Sequence, residues 1–358
     1  MNARRYVLAL MGLALTFPGM SAFSQGFAGM GSEAQGFAVP QRDHPLSFPS
    51  DHGAHPDYRI EWWYVTANLT GDDGKRYGAQ WTLFRSAVAP GDREGFADPQ
   101  IWIGHAAVTT DSHQYVAERL ARGGVGQANV VAAPFQAWID DWQIKGAENA
   151  GSDALENISL NAAGPDFRYR LNLNATGPLV LQGDRGFSVK SADGQASYYY
   201  SQPFYQASGA LKINGTDVKV SGKAWLDREW SSQPLAANQT GWDWFSLHFD
   251  RGEKLMAFRL RDDKEGYISA TWIAADGRTT PLPSNAVQME PVRNAMVNGI
   301  KIPVAWHIQI PDKSLDITTQ PLNDQSWMTT STPYWEGPIS FKGSSSGVGY
   351  LEMTGYDK

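Results

Sequence analysis

The chain has 358 residues, no cysteine, 14 tryptophans, 14 tyrosines and a formal net charge of −7. The missing cysteines exclude thiol catalysis, thiolate metal sites and a lipid anchor on an N-terminal cysteine, and the acidic balance without a basic stripe excludes a nucleic-acid partner. A chain this long exceeds what one core ordinarily supports, so two domains are expected.

Residues 1–24 carry Arg4 and Arg5, an apolar run over 6–17, a Pro18-Gly19 break and small residues around Ala22 and Ser24. That order reads as a secretory signal peptide cleaved before Gln25, which places the mature chain in the periplasm or outside the cell. The apolar run falls short of the ~20 residues a membrane helix needs and no later stretch reaches that length, so no transmembrane segment is expected.

Residues 25–44 are rich in Gly, Ala and Gln without periodicity, a lead-in to a fold that begins near Pro45. From there apolar and polar residues alternate in short runs separated by turn signals such as Gly71-Asp72-Asp73-Gly74, Ala192-Asp193-Gly194 and Asn214-Gly215. This is the pattern of antiparallel strands joined by hairpins. In the first predicted hairpin both faces are bulky: Ile60, Trp62 and Tyr64 point one way, and Glu61, Trp63, Val65 and Leu69 the other. One face can line a barrel and the other can pack on a second barrel; a sandwich core without a cavity is the competing arrangement.

The second half repeats the theme, with strands expected over 242–249, 255–261, 267–274, 304–310 and 315–319. No segment shows a sustained helical stripe; the best, 112–122, has only weak apolar positions. The class is therefore all-β, and closing the meanders into barrels disposes of their edges.

Several segments resemble, in chain order, the AttH-like and carotenoid 1,2-hydratase family. They are the stretch from Asp51-His52-Gly53 through Glu61-Trp62-Trp63-Tyr64, Gly104-His105-Ala106, Trp225-Leu226-Asp227-Arg228-Glu229-Trp230, Gly241-Trp242-Asp243-Trp244, Tyr334-Trp335-Glu336-Gly337-Pro338 and Glu352-Met353-Thr354-Gly355-Tyr356. The resemblance implies two tandem lipocalin-like, calycin-type barrels, an N-terminal one over 45–232 and a C-terminal one over 233–358. It leaves function open, because the group includes hydratases of carotenoid end groups, fungal relatives that guide cycloadditions and members with no established activity. In the hydratases the aromatic-x-Asp segment tends to continue His-Asn; here Arg228 and Glu229 follow Asp227, which places the chain nearer the AttH-like branch.

Hydration of an unactivated alkene needs a strong proton donor and walls that tolerate a carbocation. A carboxylic acid kept neutral by apolar surroundings supplies the first, and aromatic faces the second. Asp227 and Glu229 sit among Trp225, Trp230, Trp242 and Trp244, and Glu61 precedes Trp62 and Trp63, so these three carboxyls are the candidate acids. Two readings stand for each: an acid, or a member of an ion-pair network with Arg228 or Arg85. The candidate ligand walls are Trp62, Trp63, Tyr64, Tyr198, Tyr200, Trp225, Trp230, Trp242, Trp244 and Trp335.

His52, His55, Asp57 and Glu61 lie in a Pro-containing loop without metal-ligand spacing, so neither metal nor cofactor is expected. His105 reads as a core histidine in preference to a base. Gly343-Ser344-Ser345-Ser346-Gly347 fits the spelling of a nucleophile elbow but lacks the following helix and reads as a hairpin turn. Gly123-Gly124-Val125-Gly126 likewise lacks the context of a phosphate loop. The sequence thus points to an exported protein that binds a hydrophobic small molecule, with acid catalysis on that molecule as one alternative and an accessory role in an envelope transport complex as another.

Overall fold

A computed structural model describes residues 34–147, 153–233 and 235–356, and the expected signal peptide lies outside these. The first meander is β1 (Ile60–Gly71), β2 (Arg76–Ala87), β3 (Gln100–Thr109) and β4 (Gln114–Arg122). Short strands follow as β5 (Ala128–Ala132), β6 (Phe135–Ile139), β7 (Trp142–Gly146), β8 (Asn157–Ala163) and β9 (Phe167–Ala175). After β10 (Val180–Leu181) and β11 (Phe187–Val189) come two long strands, β12 (Ala196–Ile213) and β13 (Thr216–Ser231).

The second sheet comprises β14 (Gly241–Phe249), β15 (Lys254–Arg261), β16 (Tyr267–Ile273), β17 (Thr279–Leu282), β18 (Gln288–Val297) and β19 (Ile300–Ile310). It ends with β20 (Leu315–Pro321), β21 (Trp327–Met328), β22 (Tyr334–Gly343) and β23 (Gly347–Met353). Among the described residues there is no α-helix, and residues 114–122 form β4.

Every pairing named here is antiparallel, and the sheets run β4-β3-β2-β1-β13-β12-β9-β8-β7-β6-β5 and β17-β16-β15-β14-β23-β22-β20-β19-β18. They curl into one nearly closed barrel and one half-barrel, the tandem arrangement. In the first, the β3–β4 edge comes round to β6 and β7: a methyl group on Gly104 would lie 2.7 Å from Ile139, and the Arg119 guanidinium sits 5.2 Å from the Trp142 ring centroid.

The two-residue period of a strand sorts side chains into compartments. Trp63, Val65, Ala67 and Leu69 of β1 enter the core of the first barrel with Trp81 and Leu83 of β2 and Leu226 and Trp230 of β13. Ile60 and Tyr64, with Trp62 beside them, face the other way and join Tyr199, Trp225, Trp244 and Phe258 in a cluster between the two sheets. Phe245 and Leu247 of β14 and Leu351 and Met353 of β23 fill the second unit. The two units approach closely, since a methyl group on Gly78 of β2 would lie 2.6 Å from both Pro338 and the Tyr350 hydroxyl.

Glu61 falls on the barrel side of β1 and is fully buried there. Arg85 and Arg228 both donate to its carboxylate, and the His55 amide adds a hydrogen bond of 2.9 Å. The Arg228 guanidinium also stacks 3.9 Å from the Trp63 ring centroid. Burial works to raise the Glu61 pKa, but the two guanidiniums overcome it and hold the group well below the ordinary carboxylate range. Glu61 therefore pairs with both arginines inside the first barrel and does not share a compartment with Asp227 and Glu229. Glu61→Gln leaves two buried guanidiniums without a counter-charge and is expected to cost about 3–5 kcal/mol of stability. Guanidinium chloride unfolding measures this, and a loss under about 1 kcal/mol would contradict the assignment.

Candidate functional site

Where β1, β2, β12 and β13 of the first unit meet β14, β15 and β23 of the second, a narrow cleft opens with about 70 Å³ of room for the centres of water-sized spheres, within about 640 Å³ of non-protein space that includes solvent at its mouth. Its aromatic walls include Trp62, Phe84, Tyr199, Trp242, Trp244 and Phe258. Asp227, Glu229 and Glu352 project into it, and among the described residues of the lining Lys190 is the one basic side chain. A mostly apolar cleft with a few convergent polar groups is the form of a small-molecule site.

Asp227 lies on the cleft face of β13 because its neighbours Leu226 and Arg228 occupy the barrel face. Its carboxyl receives hydrogen bonds from Ser201 Oγ at 2.5 Å, Trp225 Nε1 at 2.6 Å and Tyr199 Oη at 2.7 Å. Burial outweighs those hydrogen bonds and lifts its pKa to about 7. Trp244 Nε1 in turn donates to the Tyr199 hydroxyl at 3.1 Å, so a chain of donors runs across the two units to the acid. Glu229, two residues along the same face, accepts from Ser197 Oγ at 2.5 Å and pairs with Lys190 Nζ at 2.8 Å.

A second carboxyl pair stands on the second unit, and Glu352 of that pair lines the cleft. Glu336 and Glu352 are directly opposed on β22 and β23; Glu336 is fully buried and Glu352 half-buried. Burial, resisted by a 2.5 Å hydrogen bond from Trp242 Nε1, lifts the Glu352 pKa to about 7. Burial and the neighbouring Glu352 push Glu336 well above the ordinary range. Tyr64 of β1 donates to Glu336, which ties the first unit to the second through this pair.

Of the residues singled out in the sequence, Asp227, Glu229, Trp62, Tyr64, Trp242 and Trp244 line the cleft, and Trp225 supports Asp227 from beneath. Trp63, Tyr198, Tyr200 and Trp230 belong to the first barrel's core, and Trp335 to the second unit's. Of the two readings of Asp227, Arg228 and Glu229, the single ion-pair network gives way to a split across the strand, with Arg228 paired to Glu61 and Lys190 to Glu229. His52 contacts Tyr200 at 2.7 Å and Asp153 at 3.2 Å, and His55 stacks on Trp230 with 4.1 Å between ring centroids. His105 contacts Tyr334 and Glu118 at 3.0 and 3.1 Å. The triple serine forms the turn between β22 and β23.

Glu336, Glu352, Tyr199 and Lys190 were not among the sequence candidates. A signal for the glutamates existed: reading 343–347 as a hairpin turn puts Glu336 and Glu352 on the same face of adjacent strands, and the actual register, two residues from a symmetric turn, sets them directly opposite.

Residues 39–356 match the AttH-like family. The chain belongs to that family. Among solved structures it resembles a protein assigned as an AttH from Nitrosomonas europaea, with 34% identity and a TM-score of 0.80 over 90% of this chain and 100% of that one. Kievitone hydratase from Nectria haematococca superposes with a TM-score of 0.66 at 17% identity, covering 92% of this AttH-like chain and 98% of the hydratase. CghA superposes at 0.55 and 14% identity, over 90% and 97% of the two chains. At these identities the last two show a shared fold. No curated protein matches the sequence.

Asp227 and Glu352 titrate higher in the folded protein than in the unfolded chain. The stability they confer is complete below the ordinary carboxylate range and is lost as pH rises through about 7. Urea unfolding is expected to show lower stability at pH 8 than at pH 5, with Asp227→Asn flattening the difference. A variant with the wild-type pH slope would contradict the assignment.

Proposed function

We propose that this AttH-like protein binds an apolar, unsaturated small molecule in the cleft between its barrels and adds water to, or removes it from, a carbon–carbon double bond by carboxylic-acid catalysis. The observation that supports this reading is Asp227, a buried carboxyl with a pKa of about 7 that faces a cleft walled by Trp62, Trp242 and Trp244. A carboxyl with that pKa holds its proton in a large share of molecules at neutral pH and matches the operating range of a general acid.

In the hydration direction, the O–H bond of Asp227 breaks as a C–H bond forms at one alkene carbon, leaving a cation on the other. Indole faces stabilise that cation by about 2 kcal/mol when desolvated, without offering a nucleophile that would trap it. Water then forms the C–O bond, and its surplus proton returns to the Asp227 carboxylate directly or through the Tyr199 hydroxyl 2.7 Å away. The sum is one water added and the acid restored. Glu229, anchored by Lys190 and Ser197, stands two residues along the same face to orient the attacking water. The fold shared with a hydratase supports the same class of reaction. The charged, apolar and small-residue order of the first 24 residues supports export to the periplasm, which N-terminal sequencing of the fractionated protein tests.

Linear isoprenoid alkenes incubated with the protein in ¹⁸O-labelled water provide the direct assay. Asp227→Asn is expected to reduce label incorporation at least about 100-fold while leaving tryptophan quenching by the same alkenes within about threefold. Alkenes that quench the tryptophans but are recovered unlabelled from the wild type would replace catalysis with carriage of the ligand.

A further inference from the structure

The cleft does not end at its lining. Trp62 of β1 pairs with Phe84 of β2, Phe84 with Ile103 of β3, and Ile103 with Leu120 of β4. Directly opposed residues in adjacent antiparallel strands project to the same side. These four side chains therefore form one uncharged row across the outer face of the first barrel, about 14 Å long over three inter-strand spacings. Its inner end, Trp62 and Phe84, lines the cleft. Its outer end, Leu120, is 58% exposed, and Ile101 beside it on the same face is 42% exposed.

The neighbouring row is built differently. Tyr64, Thr82, His105 and Glu118 succeed one another across the same strands, and the second unit stands on them. Tyr334 contacts His105 at 3.0 Å, and the Ser331 hydroxyl and amide donate to Glu118 at 2.7 and 3.0 Å. The apolar row thus runs along the foot of the second unit, walled on one side and open on the other. At the far end Arg122 Nη2 donates to the Phe96 carbonyl at 2.7 Å, tethering the loop that carries the 77% exposed Phe96. A contiguous apolar strip on a soluble face, rimmed by polar residues, marks an interaction surface. Continuity with the cleft identifies its occupant.

We infer that the ligand of the cleft is a long-chain molecule whose tail leaves the site along the Trp62–Phe84–Ile103–Leu120 row. This rests on the reading of the cleft as a ligand site. The cleft between the units holds the reactive end beside Asp227, and the outer row measures chain length, so that affinity rises with tail length until the row is covered.

Straight-chain primary alcohols test this, with binding followed by tryptophan fluorescence of the purified protein. Hexanol is short enough to stay in the cleft; decanol and tetradecanol extend onto the row. Affinity is expected to increase roughly two- to fourfold per added methylene along the row. Leu120→Gln, a change at an exposed position, is expected to weaken tetradecanol about fivefold and leave hexanol unchanged, and Leu120→Met is expected to restore the wild-type value. If hexanol binds but chain length has no effect, or Leu120→Gln leaves tetradecanol unaffected, the tail path is overturned and the cleft stands. If none of the alcohols perturbs the cleft tryptophans, both are overturned.

Discussion

Adjacent side chains in a strand cannot share a face, and in β13 that constraint separates charges that the sequence sets side by side. Arg228 turns into the first barrel, where Glu61 compensates it. Asp227 and Glu229 turn outward without it, and Lys190, from the segment before β12, pairs with Glu229 at 2.8 Å. Asp227 is left with hydroxyl and indole donors and no guanidinium. Neutral donors stabilise a carboxylate less than a cation does, so burial wins at Asp227 and loses at Glu61. Two carboxyls on neighbouring strands of one sheet thereby acquire opposite protonation behaviour.

The second unit completes this environment. It brings Trp242 and Trp244 over the carboxyls, and its Glu352, with Glu336 opposite it on the next strand, adds further acid groups to a place already short of cations. A cross-strand glutamate pair is a poor choice for stability, since like charges directly opposed oppose folding when ionised. Its burial across the hairpin, together with the Tyr64 hydrogen bond that spans the units, fits a site that holds protons. Strained or destabilised groups persist where the surrounding structure is firm enough to hold them, and here two apolar cores flank the cleft.

Much of the fold was legible in the chain because strand alternation is local. The two bulky faces of β1 were readable from 60–65, and they do serve the barrel core and the inter-unit cluster. The same parity could divide Asp227 from Arg228, but not say which face met which partner, because pairings such as Trp62 with Glu229 and Tyr64 with Asp227 span more than 160 residues. The aromatic candidates divided for this reason: Trp62 and Trp63, adjacent in sequence, ended in different compartments. Trp335 lay beyond local reasoning altogether, since only the sheet order shows that its face belongs to the second unit's core.

Acid catalysis in the cleft requires a neutral carboxyl at Asp227, and carbon-13 NMR of the aspartate side-chain carboxyls across a pH titration reads that state directly. A resonance absent from Asp227→Asn is expected to titrate near pH 7. Titration of that resonance in the ordinary aspartate range, near pH 4, would show a charged group in the cleft at neutral pH and would remove the basis for acid catalysis there.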